Sequence, residues 1–414
     1  MECTPGRRFV RSSCLRVVDI HTDSVTLVHQ LSGKQYRLGK DAYALLDATH
    51  EPMTAEELRR QFPHVSAGEV DLAIEYLVRH QLLLEHGDGA PDETFHITST
   101  PHTLFSLPRL ENLNRPPTLV CWGVPYGRGN PVTSGCANAP SVLRRYSAGL
   151  KLDLRNLDPS GTDGALFDTD LEVSTSRLAK HMEDRRIADW GDLYVHPHEY
   201  PEHVYYNVER AAQLLVDHGH VPITIGGDHS ITYSLLRAVA KRYDGLHVVH
   251  LDAHTDAYTT GLDRAFQSVS SHHHGNFVAR VLNEIPSVAV IHQLGIRGLH
   301  NVGTVQHPKQ RIYFMRDTRR VISEGASSEF PLDAPYYLTV DVDVLAPSVG
   351  PGTATPVPGG LQYSELLQLL VALFERRRLV GVDVVELCPD KDPSGLTSKI
   401  VLELLAFVMN LVTC

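Results

Sequence analysis

Four short stretches of the chain gather the residue types that bind cations and move protons. They are Gly226-Gly227-Asp228-His229-Ser230, Asp252-Ala253-His254-Thr255-Asp256, Asp341-Val342-Asp343 and the single Glu386. Each follows an apolar, largely β-branched run: VPITI, LHVVHL, YYLTV and LVGVDVV. Residues two apart on an extended segment point the same way. Asp252, His254 and Asp256 can therefore aim at one place, and so can Asp341 and Asp343. With His229 this makes two imidazoles and four carboxylates. Carboxylates that meet in a buried place without cations are very costly. The set exceeds what one tetrahedral zinc takes and suits two divalent ions bridged by carboxylates and water. An oxygen-rich set with some imidazole favours Mn2+, while Co, Ni, Fe and Zn also fit such ligands. A cation pair about 3.5–4 Å apart can hold a water as hydroxide near neutral pH, which is hydrolytic chemistry. Alone, a D-x-D is more often a pair of loop acids, and a GGDHS more often a glycine turn with a polar helix cap. The reading rests on the whole set, each piece at a strand end in one chain.

The elements that position these residues follow from the pattern around them. From about residue 117 to 414, continuous apolar runs alternate with helical stretches such as ITYSLLRAVAKRY and YSELLQLLVALFERR. Continuous apolar strands between helices indicate a parallel sheet covered on both faces. Ligands of such sheets gather beyond the carboxyl ends of the strands, where the acids and histidines fall. Before this region the pattern differs. Residues 13–38 read as three short strands, CLRVVDI, VTLVHQ and KQYRL. Three helical stretches follow: DAYALLDAT, then TAEELRRQF with a Thr54-x-x-Glu57 capping box, then AGEVDLAIEYLVRHQLLLEH with Val70, Ile74, Leu77 and Leu82 on one face. This order predicts a small α+β winged-helix domain over 12–88. Residues 89–116 are mixed, polar and proline-dotted, and read as a linker.

The totals narrow the function classes. The chain has 414 residues and a net charge of −11 with histidines neutral. That disfavours general nucleic-acid binding, which needs a basic face. No apolar run is long enough to cross a bilayer, and the N-terminus lacks the apolar core of a signal peptide. The six cysteines form no CxxC pair, so a reducing cytoplasm is the expected setting.

The motifs resemble those of the ureohydrolases, the arginase and agmatinase family. GGDHS, DAHTDAY, HHGNF, DVDVLAPSVGPGTATPVPGG and VVELCPDKDPSGLTS appear in family order, and GVPYGRGNPVTSGCANAPSVLRR is similar, more loosely, to the family's opening substrate loop. The resemblance covers about 117–414 and implies a three-layer α-β-α domain around a parallel sheet. It implies one manganese held by His229, Asp252, Asp256 and Asp341, and another held by His254, Asp252, Asp341 and Asp343. It places His274 as a catalytic or substrate-contacting histidine and Glu386 against the substrate guanidinium. Asp256 would hold the attacking hydroxide and pass its proton to the departing amine. Of the run His272-His273-His274, the resemblance thus selects His274. His273 is expected to shape the pocket and His272 to be an exposed loop residue. The chain departs from the family at Ala346, where aspartate is common, and at Ala354, where glycine is usual. Tyr258 looks more like agmatinase-type members than arginases, and so counts as a substrate-binding candidate.

Residues 12–88 weakly resemble the PqqD-like leader-peptide recognition domains of enzymes that modify ribosomal peptides. Such domains bind an extended peptide on a sheet edge. The combination implies a peptide arginase, which turns arginine side chains of a precursor peptide into ornithine. The alternative is a small-molecule guanidine hydrolase of agmatinase, guanidinobutyrase or arginase type, with a packing or regulatory N-terminal domain. Family resemblance also implies a homo-oligomer.

Overall fold

The computed structural model describes residues 7–12, 15–29, 34–49, 52–80, 82–86, 95–113, 118–150, 152, 175–258, 272–299 and 306–412. The chain divides into two units, Met1–His96 with Leu110–Pro116, and Ile97–Arg109 with Pro117–Cys414. The segment 149–182, a candidate wall of the pocket mouth, lies largely outside the described residues.

The first unit contains strands β1 (Arg8–Arg11), β2 (Leu15–Ile20), β3 (Ser24–His29), β4 (Gln35–Gly39), β5 (Met53–Thr54) and β6 (Leu83–His86). Its helices are α1 (Lys40–Ala48), α2 (Ala55–Gln61) and α3 (Ala67–Arg79). Strands β2, β3 and β4 form one antiparallel sheet in that order, and β5, β1 and β6 form another. Leu27, Leu46, Leu58, Val70, Ile74, Leu77 and Leu82 make its core. Helices α2 and α3 both open with capping boxes, Thr54 with Glu57 and Ser66 with Glu69. Each box satisfies two backbone N–H groups that a helix start leaves without partners. The predicted helix through LLLEH stops earlier than its periodicity implies. The chain leaves α3 at Arg79 and returns as β6, which pairs with β1 from Arg8↔His86 to Arg11↔Leu83. A partner strand seventy residues away leaves no trace in local periodicity.

The second unit is built on a nine-stranded sheet. Its strands are β7 (Ile97–Thr98), β8 (Leu119–Gly123), β9 (Ile187–Leu193), β10 (Val221–Ile225), β11 (Leu246–Leu251), β12 (Val288–Ile296), β13 (Gln310–Phe314), β14 (Pro335–Asp341) and β15 (Arg378–Val385). Their order is β13-β12-β11-β14-β15-β10-β8-β9-β7. All pairings are parallel except β7 with β9. The helices are α4 (Ala139–Ser147), α5 (Ser176–Glu183), α6 (Pro201–Asp217), α7 (Ile231–Ala240), α8 (Phe277–Glu284), α9 (Met315–Glu324), α10 (Tyr363–Phe374) and α11 (Leu396–Leu411). Helix α11 packs with α4, α5 and α10, while α6, α7 and α8 pack in series. Strands β8 to β11 are buried at nearly every position, as a parallel sheet covered on both faces requires. Residues 97–109, inside the stretch that reads as a linker, belong to this unit. Ile97 and Thr98 pair with β9, and Leu104 N donates to the buried Asp189 at 2.7 Å. Among the described residues, no helix is long and apolar enough to cross a membrane.

Candidate active site

The strands that carry the motif residues, β11, β14, β15 and β10, are consecutive in the sheet. Their carboxyl ends deliver Asp252, Asp341, Glu386 and the 226–230 turn to one place. The turn after β10 requires glycine at 227, because a Cβ there would sit 1.6 Å from the Tyr126 carbonyl oxygen. That close approach lets the Asp228 carboxylate accept from Gly129 N at 2.7 Å and Ser230 N at 3.0 Å. Loop 124–134 is thereby tied to the site. Asp256 and Glu386 hold left-handed φ angles of 45° and 63°. A non-glycine residue there costs about 1–3 kcal/mol and persists where its surroundings over-determine it.

Two nests of ligand atoms result. His229 Nδ1 lies 3.2 Å from Asp252 Oδ2, 3.2 Å from Asp256 Oδ2 and 3.4 Å from Asp341 Oδ2. This nitrogen is buried and has no hydrogen-bond partner. Its ring partner, Nε2, lies 2.9 Å from Thr339 Oγ1, and the Thr339 hydroxyl donates to Asp383 Oδ1 at 2.5 Å. Thr339 therefore accepts from His229 Nε2–H, and Nδ1 turns its lone pair toward three carboxylates. Such an arrangement suits a cation among them. In the second nest, His254 Nδ1 lies 2.9 Å from Asp343 Oδ2 and 3.4 Å from Asp252 Oδ1. Asp252 offers one oxygen to each nest and is placed to bridge them. The donor chemistry, imidazole nitrogen with several carboxylate oxygens, fits two divalent cations.

Electrostatics support that fit. Burial, then the charge of Asp252, raises the Asp343 carboxyl to about 6. Burial, then Asp343 and Asp252, raises Asp341 well above the ordinary carboxylate range. Burial alone would lower His229, yet the Asp252, Asp256 and Asp341 carboxylates around Nδ1 push it well up, so a proton competes with a cation for that nitrogen. The crowded acids thus seek positive charge from whatever source is near.

One nest differs from its expected membership. Asp341, implied for both cations, faces His229, while its Oδ1 accepts from Asp343 N at 2.8 Å. Among the described residues, the compact groups of ligand atoms, each within 4.8 Å, are His229, His250, Asp252 and Asp256, and Asp252, His254 and Asp343. His250 was not anticipated, although it stands two residues before Asp252 and so shares its side of the strand.

Glu386 is buried and receives three donors. His229 N (3.0 Å) and His274 Nδ1 (3.2 Å) reach Oε1, and Asn130 Nδ2 (2.8 Å) reaches Oε2. Burial would raise its carboxyl, but His274, then His229, hold it below its usual value. Burial lowers His274, but Glu386, then Asp256 and Asp228, outweigh it and raise the imidazole to about 9. His274 is thus a cation at neutral pH, beside the carboxylate assigned to the guanidinium. Its backbone N donates to Gly129 O at 3.1 Å, which fixes it to the loop that carries Asn130. Tyr258 packs on the same turn, with its backbone N donating to Gly275 O at 3.1 Å. His273 Nδ1 accepts from Gly275 N at 3.2 Å and caps the turn.

His272 is not the exposed loop residue that was expected. It is buried, with Nε2 2.8 Å from the Ser230 carbonyl oxygen and its ring against Tyr205 and Tyr233 at 4.5 and 5.1 Å. It clamps the turn of His274 to the start of α7, and burial pushes its pKa down to about 3. Sequence alone also missed Asn130, since an asparagine among glycines and prolines looks like turn chemistry. The Ala346 departure sits in a backbone turn, where Ala346 N donates to Leu361 O at 2.9 Å and its carbonyl accepts from Val349 N and Gly350 N.

Known proteins resemble this chain in sequence and in fold. A sequence profile of the arginase family matches residues 117–410. The agmatinase of Neisseria meningitidis serogroup B (strain ATCC BAA-335 / MC58) is 33% identical over 286 residues, which is 67% of this chain and 82% of that protein. Proclavaminate amidinohydrolase of Streptomyces clavuligerus is 36% identical over 194 residues, 44% of this chain and 58% of that one. A solved structure of proclavaminate amidinohydrolase from the same organism superposes with a TM-score of 0.58 at 27% identity, covering 75% of this chain and 97% of its own. A hypothetical agmatinase of Burkholderia thailandensis superposes with a TM-score of 0.58 at 25% identity, covering 71% and 85%. Sequence and fold agree over the unit that carries both ligand nests, and the chain belongs to the arginase family of ureohydrolases.

Proposed function

We propose that this enzyme hydrolyses the guanidino group of arginine side chains within a peptide, releasing urea and leaving ornithine in the chain. The observation that carries this reading is the α+β unit that precedes the matched range. It has its own core and lies outside residues 117–410. Its sheet β2-β3-β4 ends in two edge strands, and β2 exposes Val18 and Ile20. An extended peptide binds such an edge by adding a strand. The succession α1-β5-α2-α3-β6, with β1 as the third strand of its sheet, supports the winged-helix description of this unit.

Under this reading, His229, Asp252, Asp256 and Asp341 hold one divalent cation, Mn2+ by preference, and His254, Asp252, Asp341 and Asp343 hold the other. The cations, when bound, supply a water acidified enough to attack at neutral pH and charge to stabilise the product of attack. The protein supplies the rest. Glu386 accepts hydrogen bonds from the guanidinium and so orients its carbon, as a carboxylate does for a planar cation. Asn130 donates to Oε2 of Glu386 and so fixes the orientation of that carboxylate. Asp256 takes the proton of the attacking water and returns it to the departing amine. His274, held cationic, offers a proton donor on the same side. Tyr258, packed against Gly275, is the substrate-binding candidate beside His274.

A second reading, hydrolysis of a small guanidine, is favoured by the 33% identity to a protein named agmatinase. Urea release separates the two. Mn2+-loaded enzyme is assayed with agmatine, free arginine, guanidinobutyrate and arginine-containing peptides. Urea from peptides, with ornithine found by mass spectrometry, supports the first reading. Urea from a small guanidine alone overturns it.

A further inference from the structure

His250 belongs geometrically to the nest around His229, and its distance to Asp252 suits either a fellow ligand or a hydrogen-bond donor. Its Nε2 lies 2.7 Å from Asp252 Oδ2. The choice depends on which nitrogen carries the proton, and the surrounding side chains decide that. Gln293, on the neighbouring strand β12, places Nε2 2.8 Å from His250 Nδ1 and 2.6 Å from the Thr255 carbonyl oxygen. A carbonyl oxygen only accepts, so the Gln293 atom facing it must be the NH2 group and not the amide oxygen. The amide oxygen points the other way and accepts from Gln310 Nε2 at 2.5 Å. Gln293 therefore donates to His250 Nδ1. That nitrogen must be unprotonated, and the proton of the neutral ring sits on Nε2, aimed at Asp252.

We infer that His250 is not a metal ligand but a positioning residue, a tautomer-locked donor that fixes the bridging Asp252. Thr255 O and Gln293 are the lock. The contrast with His229 is one of wiring. Thr339 draws the His229 proton to Nε2 and leaves the site-facing Nδ1 bare. Gln293 leaves the outer nitrogen of His250 bare and places the proton toward the site. The inference rests on the two-cation reading of the site only in its consequence for binding, since the tautomer exists with or without metal. A neutral imidazole nitrogen carrying a proton has no lone pair for a cation, so His250 cannot join His229 as a ligand while the lock holds.

The experiment compares wild type, His250→Gln and His250→Leu by equilibrium dialysis against Mn2+, with 15N-histidine NMR on wild type with and without Zn2+. Glutamine can place an N–H near the imidazole Nε2–H, and leucine cannot. The expected result is Mn2+ affinity within a few-fold of wild type for His250→Gln and a loss of about 10–100-fold for His250→Leu. The resonance absent from His250→Gln should show a protonated Nε2 and a bare Nδ1 in both metal states. Equal losses in the two variants, or a His250 signal with protonated Nδ1 and Nε2 shifted by Zn2+, overturns the inference. Should His250→Leu fail to fold, the NMR assignment decides alone. Wild type that takes up no Mn2+ or Zn2+ refutes the two-cation reading instead, and the metal-free tautomer still tests the lock.

Discussion

Thr339 occupies a wholly buried position on β14 and makes two hydrogen bonds that matter to the site. Replacing it with valine preserves the shape of the side chain, so packing changes little. The substitution takes the acceptor from His229 Nε2–H and one donor from Asp383. His229 and Asp383 are both buried, and no solvent reaches the vacated acceptor position. Leaving one buried donor unsatisfied costs about 1–3 kcal/mol, which corresponds to about 5–150-fold in an equilibrium constant. The metal-free ring can give up its Nε2 proton and keep one on Nδ1 among the carboxylates, so the cost falls on the metal-bound state, which needs Nδ1 bare and the proton on Nε2. Mn2+ binding should therefore weaken by this factor, within the range of about 10–100-fold usual for residues that orient ligands. Equilibrium dialysis followed by elemental analysis measures it. Thr339→Ser keeps the hydroxyl and should bind as wild type does. Thr339→Val binding Mn2+ as tightly as Thr339→Ser would show that the hydroxyl does not set the His229 tautomer, and the argument for a bare Nδ1 would fail.

Three further outcomes follow from the same geometry. Glu386→Gln keeps the side-chain shape but removes the charge assigned to the guanidinium; kcat/KM should fall by about 30-fold or more, as for a broken buried charge pair, with Mn2+ content unchanged, and loss of metal instead would place Glu386 among the ligands. His272 and His292, both buried, have pKa values pushed down to about 3 by burial, against an ordinary 6.5. A depressed histidine pKa gives stability that is complete above 6.5 and is lost as pH falls toward 3. By pH 5 each should have lost roughly 2 kcal/mol, so Tm falls on acidification and His292→Phe flattens the fall; a Tm unchanged between pH 7 and 5 refutes the assignment. Metal removal should expose the opposite dependence. Asp343, raised to about 6 mainly by burial, contributes stability that is full below about pH 4 and lost as pH rises through 6. The Tm gap between chelator-treated and Mn2+-restored protein should therefore widen from pH 5.5 to pH 8, on top of the histidine effect that both share; identical melting of treated and restored protein at pH 8 would exclude the cations from stabilising the site.

Much of the architecture was legible because it depends on local pattern. The apolar runs mark the central strands, and a covered parallel sheet dictates that their carboxyl ends meet. The D-x-H-x-D and D-x-D spacings then place side chains on one side by the two-residue period alone. That period also applied one step further back, since His250 precedes Asp252 by two, yet a histidine inside an apolar run looks like a strand residue. The failures share a cause. The β6 strand, the inward turn of His272 and the hold of Asn130 on Glu386 each depend on a partner far away in sequence: β1, Ser230 and the end of β15. Local periodicity carries no information about such partners.

The two buried histidines beside Asp252 extend this point from position to protonation. His229 and His250 stand at similar depth, each has a nitrogen near Asp252 Oδ2, at 3.2 and 2.7 Å, and their rings lie 4.9 Å apart. Residue type and spacing cannot rank them as ligands. What separates them is the residue behind each ring. A threonine whose own proton goes to Asp383 must accept, and a glutamine whose NH2 is held by a backbone carbonyl must donate. These two hydrogen bonds assign opposite tautomers to adjacent rings of the same type. The ligand role of a histidine here is thus set on strands β14 and β12, in side chains that do not touch the bridging carboxylate. A family motif read at the ligand positions alone would not find them.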